Sequence, residues 1–356
     1  MKVLHVTASD ARRGAERRAV DLADALERLG MPSEIRSVCA SGVPDPLPIR
    51  SLRGGRFDPR GLLELRRLLS DVDVAIAYGS SALPATALAS IGSRTPFVYR
   101  GIGDPLYWSN TPARRLRTSA WLRRAAAVTV LWSRSAQILT EHFGVPAAKI
   151  TVLPSGVETR RFPAATPSSR SAARRSLGLT DNDRVLACVG ALSAEKRVDR
   201  AIEVVSQLDG VILLVAGDGP RRAQLMKQAD AVLPGRIRFL GTVDEPSEVY
   251  AAADALLLTS DTEGLPGVVI EAALSGRPAI ATRVGGVADA VIDGRTGATV
   301  RPGDTAGLVR AARLVLDDSE ALGAAARSHC LERYDIDVVA QLWATLLRRI
   351  AEEPAS

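Results

Sequence analysis

The 356-residue chain is poor in aromatic residues, which make up 4% of it, and holds three cysteines and three histidines. With so few rings the core is expected to be aliphatic. Cys39, Cys188 and Cys330 are far apart and odd in number, which excludes a disulfide framework or a cysteine zinc site and fits a reducing compartment. No apolar run approaches the ~20 residues a spanning helix needs. Met1–Thr7 carries one Lys, a very short apolar run and no cleavage pattern, so it does not read as a signal peptide. The expected location is therefore the cytoplasm. Zinc, RNA-recognition and helix-turn-helix signatures are also missing, so nucleic acid is not an expected partner.

What the chain has is charge, unevenly spread. Residues 1–165 carry 24 Lys+Arg against 14 Asp+Glu, a net of +10, and the remainder carries 22 against 26, a net of −4. The basic N-terminal half suits an anionic partner or an anionic membrane surface. Much of that charge lies in Ala113–Arg124, which reads as a helix with Arg114, Arg115, Arg117, Arg123 and Arg124 beside Trp121 and Leu122. It is either a solvated charged face or a peripheral contact with the inner face of the membrane, Trp121 and Leu122 meeting the lipid.

The length predicts two domains. Short apolar runs alternate with amphipathic stretches. In the first half the expected strands are Lys2–Thr7, Ser33–Val38, Val74–Ala77, Pro96–Arg100, Ala127–Leu131 and Ile150–Leu153. Pro163–Ser171 has the composition of a linker, and a second series then opens with strands at Arg184–Val189, Val211–Ala216, Ile237–Leu240, Ala255–Leu258 and Pro278–Thr282. Strand–helix alternation of this kind implies parallel sheets.

Thr259–Glu271 is the most informative stretch. The strand Ala255–Leu258 leads into a loop, and Pro266 suits the start of a helix that ends near Ser275 and Gly276. Loop amides at a helix start attract phosphate, and Gly264 allows close approach. Glu263 and Glu271 bracket that position. A carboxylate repels phosphate but accepts hydrogen bonds from vicinal hydroxyls, so a sugar–diphosphate–ribose ligand fits the pattern.

Glu263-(seven residues)-Glu271, with Gly264-Leu265-Pro266, resembles the paired-glutamate motif of the retaining glycosyltransferases of family 4, the group 1 glycosyltransferases. Gly14-Ala15-Glu16 is similar to that family's glycine loop after the first strand, with Arg13 replacing one glycine. Leu153-Pro-Ser-Gly-Val-Glu158 resembles the motif closing its N-terminal domain. Lys196 stands where the family's diphosphate-binding Lys does, Ala191 replaces the partner Arg, and Arg197 is the substitute cation on offer. Gly217-Asp-Gly-Pro220 and the loop at Val243 resemble its base-binding turns.

The resemblance implies an α/β protein of GT-B fold: two Rossmann-like, doubly wound domains facing across a cleft. Residues 1–165 would bind the acceptor, 166–336 the nucleotide-sugar donor, and 337–356 would form a helix crossing back to the first domain. It implies transfer of a glycosyl group from a nucleotide-diphosphate sugar to an acceptor hydroxyl with retention, by front-face attack. Glu263 would orient the sugar hydroxyls and Glu271 the ribose. Lys196 and Arg197 would meet the diphosphate, with Gly14, Gly217, Val243, Gly264, Leu265 and Pro266 completing the donor site. No cofactor is expected, and no metal: Asp71/Asp73 and Asp335/Asp337 read as charged element edges. The family's usual histidine is missing, and Arg100 and Asp104 stand in its region as catalytic candidates. The acceptor is expected to be anionic or lipid-linked. The alternatives are a nucleotide-sugar epimerase of the same fold and a non-catalytic two-lobed binding protein.

Overall fold

The computed structural model describes residues 1–352 apart from Arg13 and Arg56 and the side chain of Trp108. Arg13, expected in the loop after the first strand, thus lies outside the described residues. The chain forms two compact units, one of Met1–Val157 with the C-terminal segment from Tyr334, the other of Glu158–Arg333.

The first unit runs β1 (Val3–Ser9), α1 (Gly14–Arg28), β2 (Ser33–Cys39), β3 (Arg50–Ser51), α2 (Pro59–Ser70), β4 (Val74–Tyr78), α3 (Gly79–Ala89), β5 (Phe97–Arg100), α4 (Pro105–Trp108), α5 (Pro112–Arg124), β6 (Ala127–Val130), α6 (Ser133–Phe143) and β7 (Ile150–Val152). All seven strands are parallel, in the order β3-β2-β1-β4-β5-β6-β7. Buried on both faces, β4 to β6 show no polar alternation, as parallel strands between helical layers do not. One face carries a core of Leu65, Leu69, Leu83, Leu122, Leu139 and Phe143. Leu22, Leu26, Val339, Trp343 and Leu347 form a second core.

The second unit runs α7 (Pro167–Ser176), β8 (Arg184–Val189), α8 (Val198–Ser206), β9 (Val211–Ala216), α9 (Arg222–Val232), β10 (Ile237–Gly241), α10 (Ser247–Ala252), β11 (Ala255–Leu258), α11 (Gly267–Leu274), β12 (Ala279–Thr282), α12 (Val287–Ala290), β13 (Gly297–Val300), α13 (Thr305–Asp317) and α14 (Ser319–Tyr334). Its six strands are parallel in the order β10-β9-β8-β11-β12-β13. The last helix, α15 (Ile336–Glu352), packs on α1 in the first unit. Among the described residues no helix is long and apolar enough to cross a membrane.

Several expectations are corrected. The supposed linker Pro163–Ser171 runs into α7. Thr166 accepts from the Ser169 amide while the Ser169 hydroxyl accepts from the Thr166 amide, and Pro167 sits at the helix start, so residues with linker composition nucleate a helix. Arg174 then anchors α7 from a fully buried position, reaching the Ala252 carbonyl and the Asp254 carboxylate. Pro266 caps α11 from outside instead of occupying its first turn. On α5, Leu122 is buried in the core and Trp121 packs against it, so neither forms the lipid-facing edge expected of them.

Candidate functional site

In an open parallel sheet, ligands gather at the carboxyl ends of the strands where the strand order reverses. In the second unit that point lies between β8 and β11: β9 and β10 extend to one side, β12 and β13 to the other. The loops after these two central strands, residues 190–197 and 259–266, therefore meet there. The Asp261 amide donates to the Glu195 carbonyl at 2.8 Å, and the Thr259 hydroxyl to the Arg197 carbonyl at 2.7 Å.

The glycines fit by close approach. A Cβ on Gly217 would lie 1.8 Å from the Gly190 carbonyl oxygen, and one on Gly285 2.0 Å from the Glu263 carbonyl oxygen. Gly217 also donates to the Gly241 carbonyl, so it seams the ends of β8, β9 and β10 together. The Gly264 carbonyl accepts from Gly286, which fixes the loop ahead of α11. Leu265 is buried beneath that loop and Val243 is half-buried in the loop after β10.

Charge is arranged in two clusters. The Lys196 ammonium donates to both Glu263 oxygens, at 2.7 and 2.9 Å, and the Ser260 hydroxyl donates to one of them at 2.6 Å. The Glu263 side chain is only 7% exposed and that of Lys196 28%. Beside them Arg197 pairs with Asp199 and Asp261, Arg200 also holds Asp261, and Arg221 also holds Asp199. Burial pushes both aspartates up, but their arginine partners prevail and hold each below the usual carboxylate range. Arg197 has φ 51°, the one non-glycine residue with positive φ among the described residues. Its side chain is thus committed to carboxylates, whereas Lys196 shares a single buried one.

Glu271 lies on α11 and accepts a hydrogen bond at 3.1 Å from the hydroxyl of Tyr250, a fully buried ring on α10. Sequence reasoning missed both Tyr250 and its helix, whose six residues are too few to display a period. Cys188, close to Lys196 and Glu263, has its thiol pushed up to about 12 by burial, so it stays an inert core thiol.

The first unit has its own reversal point, between β1 and β4. Gly14 opens α1 beside it. Arg100, expected to face a ligand, is 3% exposed and lies between the rings of Tyr78 and Trp343, with one nitrogen donating to the Ser155 hydroxyl. Asp104 accepts from the Leu106 amide at 2.9 Å as the cap of α4. The structure thus brings Lys196, Glu263 and the 264–266 loop together, makes Asp104 a helix cap, and buries Arg100 with one guanidinium nitrogen on Ser155 and another without a hydrogen-bond partner among the described residues. Asp71 is the C-terminal cap residue of α2 and Asp73, two residues on, accepts from the Lys2 amide; among the described residues no group of three or more His, Cys, Asp or Glu side chains could hold a metal ion.

Residues 169–329 match the family model described as glycosyl transferases group 1, and residues 12–161 that of glycosyltransferase family 4. The 2-deoxystreptamine glucosyltransferase of Streptomyces kanamyceticus is 36% identical over 205 residues, 55% of this chain and 53% of that protein. The glycogen synthase of Mycobacterium tuberculosis is 35% identical over 234 residues, 62% of this chain and 54% of that one. The chain thus spans about half the length of these curated relatives. A GDP-mannose-dependent phosphatidylinositol monomannoside mannosyltransferase of Mycolicibacterium smegmatis is 28% identical over 83% of this chain and 80% of its own. Among solved structures, Anabaena HepE in complex with UDP and glucose superposes with a TM-score of 0.86 at 23% identity, covering 98% of this chain and all of that one. At that identity the likeness speaks for the fold, which is GT-B.

Proposed function

We propose that the chain, whose residues 169–329 and 12–161 match the group 1 and family 4 glycosyltransferase models, is a group 1 glycosyltransferase that moves a glycosyl group from a nucleotide-diphosphate sugar to an acceptor hydroxyl with retention of configuration. The observation that carries this reading is the Lys196–Glu263–Ser260 cluster at the reversal point of the second sheet, next to the start of α11. The diphosphate would take Lys196 and the amides ahead of the helix, its developing charge being met by a fixed cation and oriented N–H groups. Glu263 would hold the sugar hydroxyls and Glu271, steadied by Tyr250, the ribose.

Retention by a covalent route needs a free carboxylate nucleophile about 5 Å from a second one. Glu263 has both oxygens engaged by Lys196, which suits an orienting role and favours front-face attack, the leaving phosphate accepting the acceptor proton. Lys196 and the amides would stand in for a metal, so turnover is expected to survive EDTA. HepE was captured with UDP, and the mycolicibacterial relative is named as GDP-mannose-dependent, which supports a nucleotide-sugar donor.

A thermal-shift panel of UDP, GDP, ADP and dTDP tests the reading. At least one should raise the melting temperature, and Glu271→Ala should abolish that shift. No shift from any of the four would sink the proposal. A shift without turnover on any acceptor would favour a binding protein.

A further inference from the structure

The reversal point of the first unit opens onto two adjoining cavities. The first, of about 240 Å³, is lined by Thr7, Glu16, Tyr78, Ser80, Ser81 and Tyr99. The second, of about 270 Å³, is lined by Ser80, Ser109, Arg114, Arg117, Thr118 and Trp121 among others. Ser80 belongs to both. The first alone is smaller than the roughly 300–1,000 Å³ usual for a small-molecule site, and the two together fall within that range.

Their linings differ in chemistry. The first offers hydroxyls and the carboxylate of Glu16, which is 5% exposed and lies 3.4 Å from the Ser9 hydroxyl. The hydroxyl of Tyr99, a residue 1% exposed, has no hydrogen-bond partner among the described residues, so the cavity is lined by a buried donor that an acceptor would satisfy. The second cavity is cationic. Arg114 and Arg117 stand one turn apart on α5, a helix with no acidic residue. Arg115 and Arg124 on the same helix are tied to backbone carbonyls. Arg114 is steadied by Asn110 and Arg117 lies over the Trp121 ring, and neither makes an ion pair among the described residues. At the junction, beside Ser80, α3 begins with no side-chain cap, so its positive end lies beside both cavities.

We propose that these two cavities, joined at Ser80, form the acceptor site, and that the acceptor is a polyol bearing an anionic group. Its hydroxyls meet Glu16 and Tyr99, and its anion meets Arg114, Arg117 and the start of α3. This rests on the transferase reading for the word acceptor, not for the binding chemistry. The anion is either that of a free sugar or cyclitol phosphate or that of a lipid headgroup, and the experiment separates the two.

Calorimetry on the full chain compares glucose 6-phosphate and myo-inositol 1-phosphate with glucose and myo-inositol. Cosedimentation compares phosphatidylinositol with phosphatidylcholine vesicles. An anionic probe in at least one arm should bind about tenfold tighter than its neutral counterpart. The double variant Arg114→Ala/Arg117→Ala should remove that preference, while Glu16→Gln weakens charged and neutral soluble probes alike. Preference in the soluble arm identifies a free phosphate, and preference confined to vesicles identifies a headgroup. Equal binding of charged and neutral probes in both arms, or a preference that survives the double substitution, overturns the proposal. The nucleotide panel on the same preparations keeps the two readings apart: a nucleotide shift without anion preference leaves the donor site standing alone. Arginine-dependent anion binding without a nucleotide shift leaves only this pocket.

Discussion

The two units solve the same topological problem with different materials. Each is a parallel sheet with a reversal point between two central strands. In the second unit that point is closed by backbone: Gly217 against Gly190 and Gly285 against Glu263 leave no room for a side chain, and buried charge locks the loops. In the first unit the point is open and lined by side chains, with two cavities and a phenol that has no hydrogen-bond partner among the described residues. A backbone-built site tolerates few residue types and leaves a motif, whereas a side-chain-built site can be redrawn one residue at a time.

The strongest test of that contrast is a single methyl group. Gly217→Ala puts a Cβ into the Gly190 carbonyl at φ 141°. The clash and the backbone strain together should cost about 3–6 kcal/mol, enough to unfold the second unit in a denaturant titration. Gly14→Ala is the control at the other reversal point, where an added Cβ meets nothing within 4 Å. It should leave stability unchanged or raise it by up to about 1 kcal/mol. Equal losses from the two substitutions would erase the distinction.

The same contrast explains what was legible in the sequence. The strands Arg184–Val189, Val211–Ala216 and Ala255–Leu258 end where their apolar runs end, because a buried parallel strand must be continuously apolar. The pairing of Lys196 with Glu263 was not legible, since it joins loops 67 residues apart, yet both residues lie in motifs. Glu271 could be found but its partner Tyr250 could not, as α10 is too short to declare itself. In the first unit, Arg100 stood at the end of a strand where ligands bind, and only packing tells that its guanidinium turns toward Trp343. The arginines of α5 look alike in sequence. The structure sorts four of the five into Arg115 and Arg124, held by carbonyls, and Arg114 and Arg117, which line a cavity.

Acid should separate the units next. His5 is fully buried in β1, with Nδ1 2.8 Å from the Tyr78 hydroxyl. Burial, with the nearby charge of Arg100, lowers its pKa from 6.5 to about 3. Between those values the unfolded chain binds a proton that the folded chain refuses, so stability is full above pH 6.5 and falls as the pH drops. The loss approaches on the order of 3–5 kcal/mol near pH 3. In the second unit Asp199 and Asp261 are depressed, so their contribution persists until the pH falls below the ordinary aspartate range. Denaturation followed from pH 7 to 4.5 should therefore weaken the first unit and spare the second. His5→Gln should flatten the first unit's slope; an unchanged slope would remove His5 as its cause.

The smallest expected effect concerns Arg197, and it decides how much of the proposed donor site is side chain after all. Its φ of 51° is costly for a residue with a Cβ, and its guanidinium is bound to Asp199 and Asp261. Arg197→Gly relieves the first and loses the second. Relief is worth about 1 kcal/mol, and partly exposed ion pairs of this kind are worth about the same, so the denaturation midpoint should barely move. Because the guanidinium is already held by two carboxylates, nucleotide-diphosphate affinity should change by less than about threefold, whereas Lys196→Met should weaken it by tenfold or more. An Arg197→Gly loss as large as that of Lys196→Met would mean that Arg197 abandons its aspartates for the diphosphate and makes up for Ala191. The proposed donor site would then depend on a side-chain rearrangement, as the first unit's open cavities already depend on side chains.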